Sequence, residues 1–261
     1  MTDFSKQYLT LEALENGIIK LIRNISEGSE KKYPLKDIQY SKNDGEWIDY
    51  TYNDEITVVT GDKIRWKALW NDGVSFFMYN NNFKVNCLYK AYGNPISLLK
   101  GNEFADATNL TAYNGAFAGL FLGEEKLTDV SDISLPATTL TSDCYVAMFQ
   151  GCKLITSAPE LPATIVAYDC YMQMFADCTS LTDAPVLPAT KLAISSYYCM
   201  FLGCTSLKHV KCYATNITAL NCTGHWLNNV ATRGVFETAG ASWKTGESGI
   251  PEGWTEKEIN E

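Results

Sequence analysis

A chain of 261 residues that is 46% hydrophobic and 12% aromatic has material for a core in one or two domains, and 20% charged residues is too ordinary for a disordered chain. A formal net charge of −9 and an isoelectric point near 4.8 exclude a nucleic-acid binder of the usual kind, whose phosphate contacts need clustered Lys and Arg. No run of about 18 apolar residues occurs, so no membrane span is expected.

Residues 1–7 read as a polar tail, and MTDFSKQYLTLEAL lacks the basic-then-apolar order of a signal peptide. Either export by that route is not used, or a leader has been removed. Tyr8 to about Tyr92 has the pattern of strands. Ile64, Trp66, Ala68 and Trp70 alternate with Arg65, Lys67 and Leu69, which puts the first set on one face. The same alternation recurs at Phe83-Lys84-Val85-Asn86-Cys87 and at Ile38-Gln39-Tyr40. Turn signals stand between the runs at Asn43-Asp44-Gly45, Gly61-Asp62 and Asn71-Asp72-Gly73, and residues 24–36 read as a long polar loop. Short strands at this spacing predict an antiparallel β-sandwich over residues 1–94.

Asn94-Pro95 marks the boundary to a second region, 95–261. Within it, residues 135–207 write one sentence three times: LPATTLTSDCYVAMFQGCKLITSAPE, LPATIVAYDCYMQMFADCTSLTDAPV, LPATKLAISSYYCMFLGCTSL. Leu135, Leu161 and Leu187 recur at one constant spacing, and the same spacing separates Met148, Met174 and Met200, Phe149, Phe175 and Phe201, and Cys152, Cys178 and Cys204. That period, with apolar anchors in fixed columns, predicts a leucine-rich-repeat solenoid whose copies are too small to bury their own apolar faces alone. Residues 95–134 read as an irregular first coil, with Phe117, Leu120, Phe121 and Gly123 falling one slightly lengthened period before Tyr145, Met148, Phe149 and Gly151. Asp143, Asp169 and Ser195 are expected helix N-caps, and Gly151, Asp177 and Gly203 left-handed closing residues. A short helix would lie between them in each coil. Ile155–Glu160 and Leu181–Val186 would be short parallel strands, with Pro159 and Pro185 as their weak joint.

After Leu207, KHVKCYATNIT reads as a longer strand. Trp226, Phe236, Trp243 and Trp254 suit a cap within 208–261, and residues 255–261 read as a frayed end. The expected class is therefore α+β, mostly β: an N-terminal antiparallel β-sandwich, then a short leucine-rich-repeat solenoid with one short helix and one short parallel strand per 26-residue coil, and a C-terminal cap.

The repeat unit LPAT…CYxxMFxGCxxLxxAP, the ending Gly249-Ile250-Pro251-Glu252-Gly253-Trp254 and the opening Tyr8-Leu9-Thr10-Leu11-Glu12-Ala13-Leu14-Glu15 resemble BspA-like leucine-rich repeat proteins of Bacteroides and their phages. In that family AFxGCxxLxxVxIP stands where this chain has Met148-Phe149-Gln150-Gly151-Cys152. The resemblance implies a surface adhesin or recognition module on a bacterial cell surface or a virion, with a protein or glycan receptor and a homo-oligomer or virion assembly as partners. Purely structural service in a virion or appendage is the alternative.

Chemistry-bearing patterns are few. Two histidines, His209 and His225, leave little for an imidazole-based centre, and HExxH, GxSxG and phosphate-loop patterns do not occur. Glu124-Glu125 reads as a pair of solvated loop charges, and the four N-x-Ser/Thr triplets at Asn24, Asn109, Asn216 and Asn221 as chance. The chain is not expected to be an enzyme or to hold a cofactor. Nine cysteines without paired CxxC spacing predict neither a disulfide framework nor a metal site, but buried thiol fillers in the columns of Cys144 and Cys170 and of Cys152, Cys178 and Cys204. Tyr145, Tyr171 and Tyr197 read as partly buried spacers. Columns that differ between copies are free to face outward: Ser142, Tyr168 and Ile194; Val146, Met172 and Tyr198; Ser157, Asp183 and His209. From these, Tyr168, Tyr198, Asp183, Ser157 and His209 are the candidate binding residues, since exposed aromatics beside polar groups suit sugars and protein partners alike.

Overall fold

The computed structural model describes residues 3–23, 35–70 and 81–259. Most of the loop expected at 24–36, the Asn71-Asp72-Gly73 turn and the Asn24 triplet fall outside these. The strands are β1 (Leu9–Ala13), β2 (Gly17–Arg23), β3 (Leu35–Lys42), β4 (Ile48–Asp49), β5 (Ile56–Val58), β6 (Lys63–Trp70), β7 (Asn81–Val85), β8 (Tyr89–Tyr92), β9 (Leu127–Asp129), β10 (His209–Cys212), β11 (Val235–Thr238) and β12 (Thr255–Glu258). One sheet has the order β4-β3-β6-β1-β8-β9, a second β5-β2-β7, and a third β10-β11-β12. Alternation built β6 as expected: Ile64, Trp66, Ala68 and Trp70 are all buried. The turn at Asn43 and Asp44 takes φ of 51° and 59°, and Gly61 takes 89°, so these polar and glycine residues reverse the chain where the sequence placed turns. The expected polar tail forms a 3-10 turn at Phe4–Lys6.

The fold class differs from the expectation. The chain is mostly β in several small sheets that do not form a solenoid, and among the described residues its one α-helix, α1 (Ser97–Lys100), precedes the repeats. The stretch expected to be a helix in each copy is instead a string of turns with left-handed residues. Asp143, Tyr145 and Ala147 have φ of 63°, 64° and 50°, and the expected N-caps Asp169 and Ser195 have 55° and 51°. The reason lies in where the amides go. Val146, Met148 and Gln150 close tight turns onto the carbonyls of Asp143, Tyr145 and Ala147, while Ala147, Phe149 and Gly151 donate to Met172, Met174 and Ala176 of the next copy. An α-helix sends every interior amide along its own axis and leaves none for a neighbour. Here alternate amides bind copy to copy, and the backbone left-handed positions cost free energy that this bonding offsets. The expected closing residues Gly151, Asp177 and Gly203 are left-handed, at 76°, 60° and 75°.

The expected strands at Ile155–Glu160 and Leu181–Val186 do not form either. Pro159 and Pro185 each remove a ladder donor, whereas the matching stretch one copy later, His209-Val210-Lys211-Cys212, has no proline and is β10. Among the described residues two isolated bridges, Asp183 to His209 and Leu187 to Cys212, continue that row backward. Residues 255–258, expected to fray, are β12, paired in parallel with β11.

What the columns share is a core. Met148, Met174 and Met200 are fully buried. Rings run in two files: Phe83, Phe121, Phe149, Phe175 and Phe201, with successive centroids 5.5–5.6 Å apart, and Phe117, Tyr145, Tyr171, Tyr197, Trp226 and Trp243, 5.3–6.3 Å apart. The three tyrosines, expected to be partly buried, are wholly so. Each stacked pair contributes about 0.5–1.5 kcal/mol beyond the area it hides. All nine cysteines are buried and unpaired. They do more than fill space: the thiols of Cys152, Cys178 and Cys204 donate to the carbonyls of Phe121, Phe149 and Phe175, one copy back, at 3.0–3.1 Å.

The first file starts inside the N-terminal sheets, where Phe83 of β7 packs edge-on against Trp66 at 5.2 Å. The Phe83 amide donates to the Leu120 carbonyl and the Lys84 ammonium to that of Leu122, so β7 covers carbonyls of the irregular coil that precedes the first copy. Glu124 fastens this junction. It was expected to be a solvated loop charge, yet it is 3% exposed and accepts from the Lys84 ammonium, the Val85 amide and the Tyr89 hydroxyl at 3.0–3.1 Å. Burial pushes its carboxyl above the ordinary range despite the ammonium beside it.

Candidate interaction surface

Two outward rows on the repeats carry the candidate residues. The first is apolar. Tyr168, Ile194 and Leu220 hold the same place in three successive copies and are 51%, 45% and 69% exposed. Their position is set by the backbone: the amides of Asp143, Asp169 and Ser195 donate to the carbonyls of Tyr168, Ile194 and Leu220 at 3.0–3.1 Å. The side chain before the left-handed residues Asp169, Ser195 and Asn221 stands away from the core, whereas Cys144, Val146 and Cys170, each before a later left-handed residue of the same stretch, are buried. The Asp169 carboxylate next to Tyr168 raises that phenol, which keeps it a neutral donor. Leu220 was missed by the sequence reading, which ended the regular repeats at Leu207. The signal was there: Cys222 falls one period after Ser196 and two after Cys170, in one column. The structure runs the pattern through 221–229, with Ser195, Tyr197, Cys199, Phe201 and Gly203 donating to Leu220, Cys222, Gly224, Trp226 and Asn228.

The second row is charged and lies along the third sheet. Asp183 and His209 are brought together, with the His209 Nδ1 3.6 Å from the Asp183 carboxylate. The other ring nitrogen is 2.9 Å from Glu237, which also lies 3.7 Å from the Lys211 ammonium, and the Thr182 hydroxyl donates to Asp183 at 2.7 Å. Its contact with the His209 ring is the first cause holding the Glu237 carboxyl below its ordinary value. Glu237 and Lys211 were not foreseen, because Glu237 enters on β11, outside the repeat period. The row can offer carboxylate acceptors and one ammonium to a polar ligand. Among the described residues no group of three His, Cys, Asp or Glu side chains could hold a metal ion.

The remaining candidates are scattered. Ser157 is exposed, one copy before Asp183, without joining the ion pairs. Tyr198 is half-buried: it lies edge-on to His225, at 6.1 Å and 89°, and over Gly224, where a Cβ would come within 2.8 Å of the ring. Its column was expected to face outward, but Val146 in that column is fully buried. Variation between copies thus marks freedom from the core at 142, 168 and 194, but at 146 only a change in what fills it. Among the described residues no helix is long and apolar enough to cross a membrane. Compared with protein-family models, curated proteins and solved structures, the chain matches none.

Proposed function

We propose that the chain is a non-enzymatic recognition protein that holds the apolar row of its repeats against a receptor on a bacterial surface or in a virion. The observation that carries this reading is the ridge of Tyr168, Ile194 and Leu220. A single exposed apolar side chain is ordinary, but a contiguous row on consecutive copies marks an interaction surface. The ridge favours a protein receptor over a glycan, because Ile194 and Leu220 bring no polar atom to a sugar. Tyr168, with an apolar ring and a hydroxyl, is the anchor. The charged row of Asp183, His209 and Glu237 would add orientation at the rim more than affinity. The surface or virion setting follows from the resemblance of the LPAT…GCxxLxxAP unit to BspA-like proteins.

The test is capture by the full chain from solubilised host-cell surface proteins, beside a glycan array, with Tyr168→Ala and Ile194→Asp as comparators. The expected result is a specific protein partner whose affinity falls about 30-fold in Tyr168→Ala, the effect of losing an anchor residue. A glycan hit with no protein partner transfers the reading to sugars. Blank results in both, with the folded chain sedimenting as a stable homo-oligomer, would replace it with a structural subunit.

A further inference from the structure

Across the turn-rich stretch of the third copy the bridging bonds run one way, from an amide of that copy to a carbonyl of the next: Ser195 to Leu220, Tyr197 to Cys222, Cys199 to Gly224, Phe201 to Trp226 and Gly203 to Asn228. The residues one period on are Asn221, Thr223, His225, Leu227 and Asn229, and among the described residues none of their amides donates to a backbone carbonyl. Asn221, His225 and Asn229 keep the left-handed φ of their counterparts, 52°, 54° and 58° against 51° at Ser195, 52° at Cys199 and 75° at Gly203. Their amides therefore point the same way, to where a further copy would supply carbonyls.

The chain supplies something else there. Residues 242–249 turn over the last copy, held by the Thr223 hydroxyl to the Ser248 carbonyl and the Trp226 indole to the Gly249 carbonyl, both at 2.8 Å. Between them and residues 217–224 lies a cleft of about 600 Å³. Asn221 and Thr223 line one wall, Lys244 the other, and the Lys244 ammonium makes no ion pair among the described residues. Amides without a carbonyl partner, on turns where left- and right-handed residues alternate, form a concavity that favours anions. The one acidic side chain lining the cleft, Glu247, leans to the His225 ring at 3.3 Å. A second molecule of the chain cannot answer these amides with the carbonyls of Leu120 and Leu122 in its irregular coil, since these already accept from Phe83 and Lys84.

We infer that this cleft binds an oxyanion — a phosphate, sulfate or carboxylate group — on the amides of Asn221 and Thr223, with Lys244 as counter-charge. The site adjoins the Leu220 end of the apolar ridge, but its proposed contacts are backbone amides and Lys244, and it does not rest on the reading given above. It is tested by titrating the full chain, labelled with nitrogen-15, with sodium sulfate, sodium phosphate and glucuronic acid against a sodium chloride control at equal ionic strength. The Asn221 and Thr223 amide signals are expected to shift and saturate with at least one of the three. Lys244→Glu should weaken binding by about fivefold or more while its thermal midpoint stays unchanged. Thr223→Pro, which deletes one donor, should remove the response, its fold being checked by the other amide signals. Preference for the inorganic ions identifies a free anion as the ligand, and preference for glucuronic acid identifies an acidic sugar. Linear, unsaturated shifts equal to the chloride control, or unchanged affinity in Lys244→Glu, would overturn the assignment.

Discussion

The N-terminal sheets and the repeats hold themselves together by opposite means. In β1, β6 and β8 the backbone ladders are regular and antiparallel, and side chains need only alternate in polarity. In the repeats the regular element is the side-chain file, and through the turn-rich stretches the backbone bonds copy to copy by alternate amides. One half tolerates different apolar residues at a buried position. The other repeats an aromatic ring at the same place in successive copies, phenylalanine throughout the first file and phenylalanine or tyrosine through Tyr197 in the second, because within the copies each ring stacks on its own counterpart.

The largest way to break that contrast is to remove one ring from the middle of a file. Phe175→Ala leaves Phe149 and Phe201 facing a void and should cost about 4 kcal/mol in denaturant melts, more than Val85→Ala on the sheet side, at about 2 kcal/mol. A similar loss at both sites would show that the files add nothing beyond ordinary burial. Next is the junction of the two halves. Glu124→Ala strands the Val85 amide and the Tyr89 hydroxyl and should cost about 2–3 kcal/mol. It should also change the response to pH. Since burial raises the folded carboxyl of Glu124, the native state keeps that proton to higher pH than the unfolded chain. The contribution is therefore full below the ordinary value of 4.5 and declines as pH rises through the raised one. Melts at several pH values should show that slope flattened in Glu124→Ala; an identical slope would place the titration elsewhere. The smallest effect sharpens the comparison. Asp177 occupies at φ 60° the closing position that is glycine at 151 and 203. Asp177→Gly should stabilise the chain by about 0.5 kcal/mol, with the midpoint of thermal unfolding as the measure.

Much of this was legible in the sequence because columns are a direct record of neighbours. Met148, Met174 and Met200 had to meet, and Gly151, Asp177 and Gly203 had to close a turn. The turns themselves were not legible. A run such as Cys144-Tyr145-Val146-Ala147-Met148-Phe149 has the apolar content of a short helix, and no local preference states that alternate amides will be claimed by carbonyls a full copy away. Prolines 159 and 185 did announce the missing strands. Glu124 was misread because its three partners come from β7 and β8, about 35–40 residues earlier. On the surface, the variable columns led to Tyr168 and to the pairing of Asp183 with His209. They could not separate Tyr198, folded over Gly224, from a residue free to touch a ligand.

The recurrence of the bridging bonds has a consequence for how such a chain can change in length. The second copy gives to the third, from Asp169, Gln173, Phe175 and Asp177, the same four bonds that it receives from Asp143, Ala147, Phe149 and Gly151 of the first, so splicing in another whole copy at Leu161 would repeat that set. The two termini of the array allow no such freedom, since β7 fits one of them and residues 242–249 the other. Reach is thus the adjustable quantity of this architecture, and its end pieces are the parts that an engineer would have to keep.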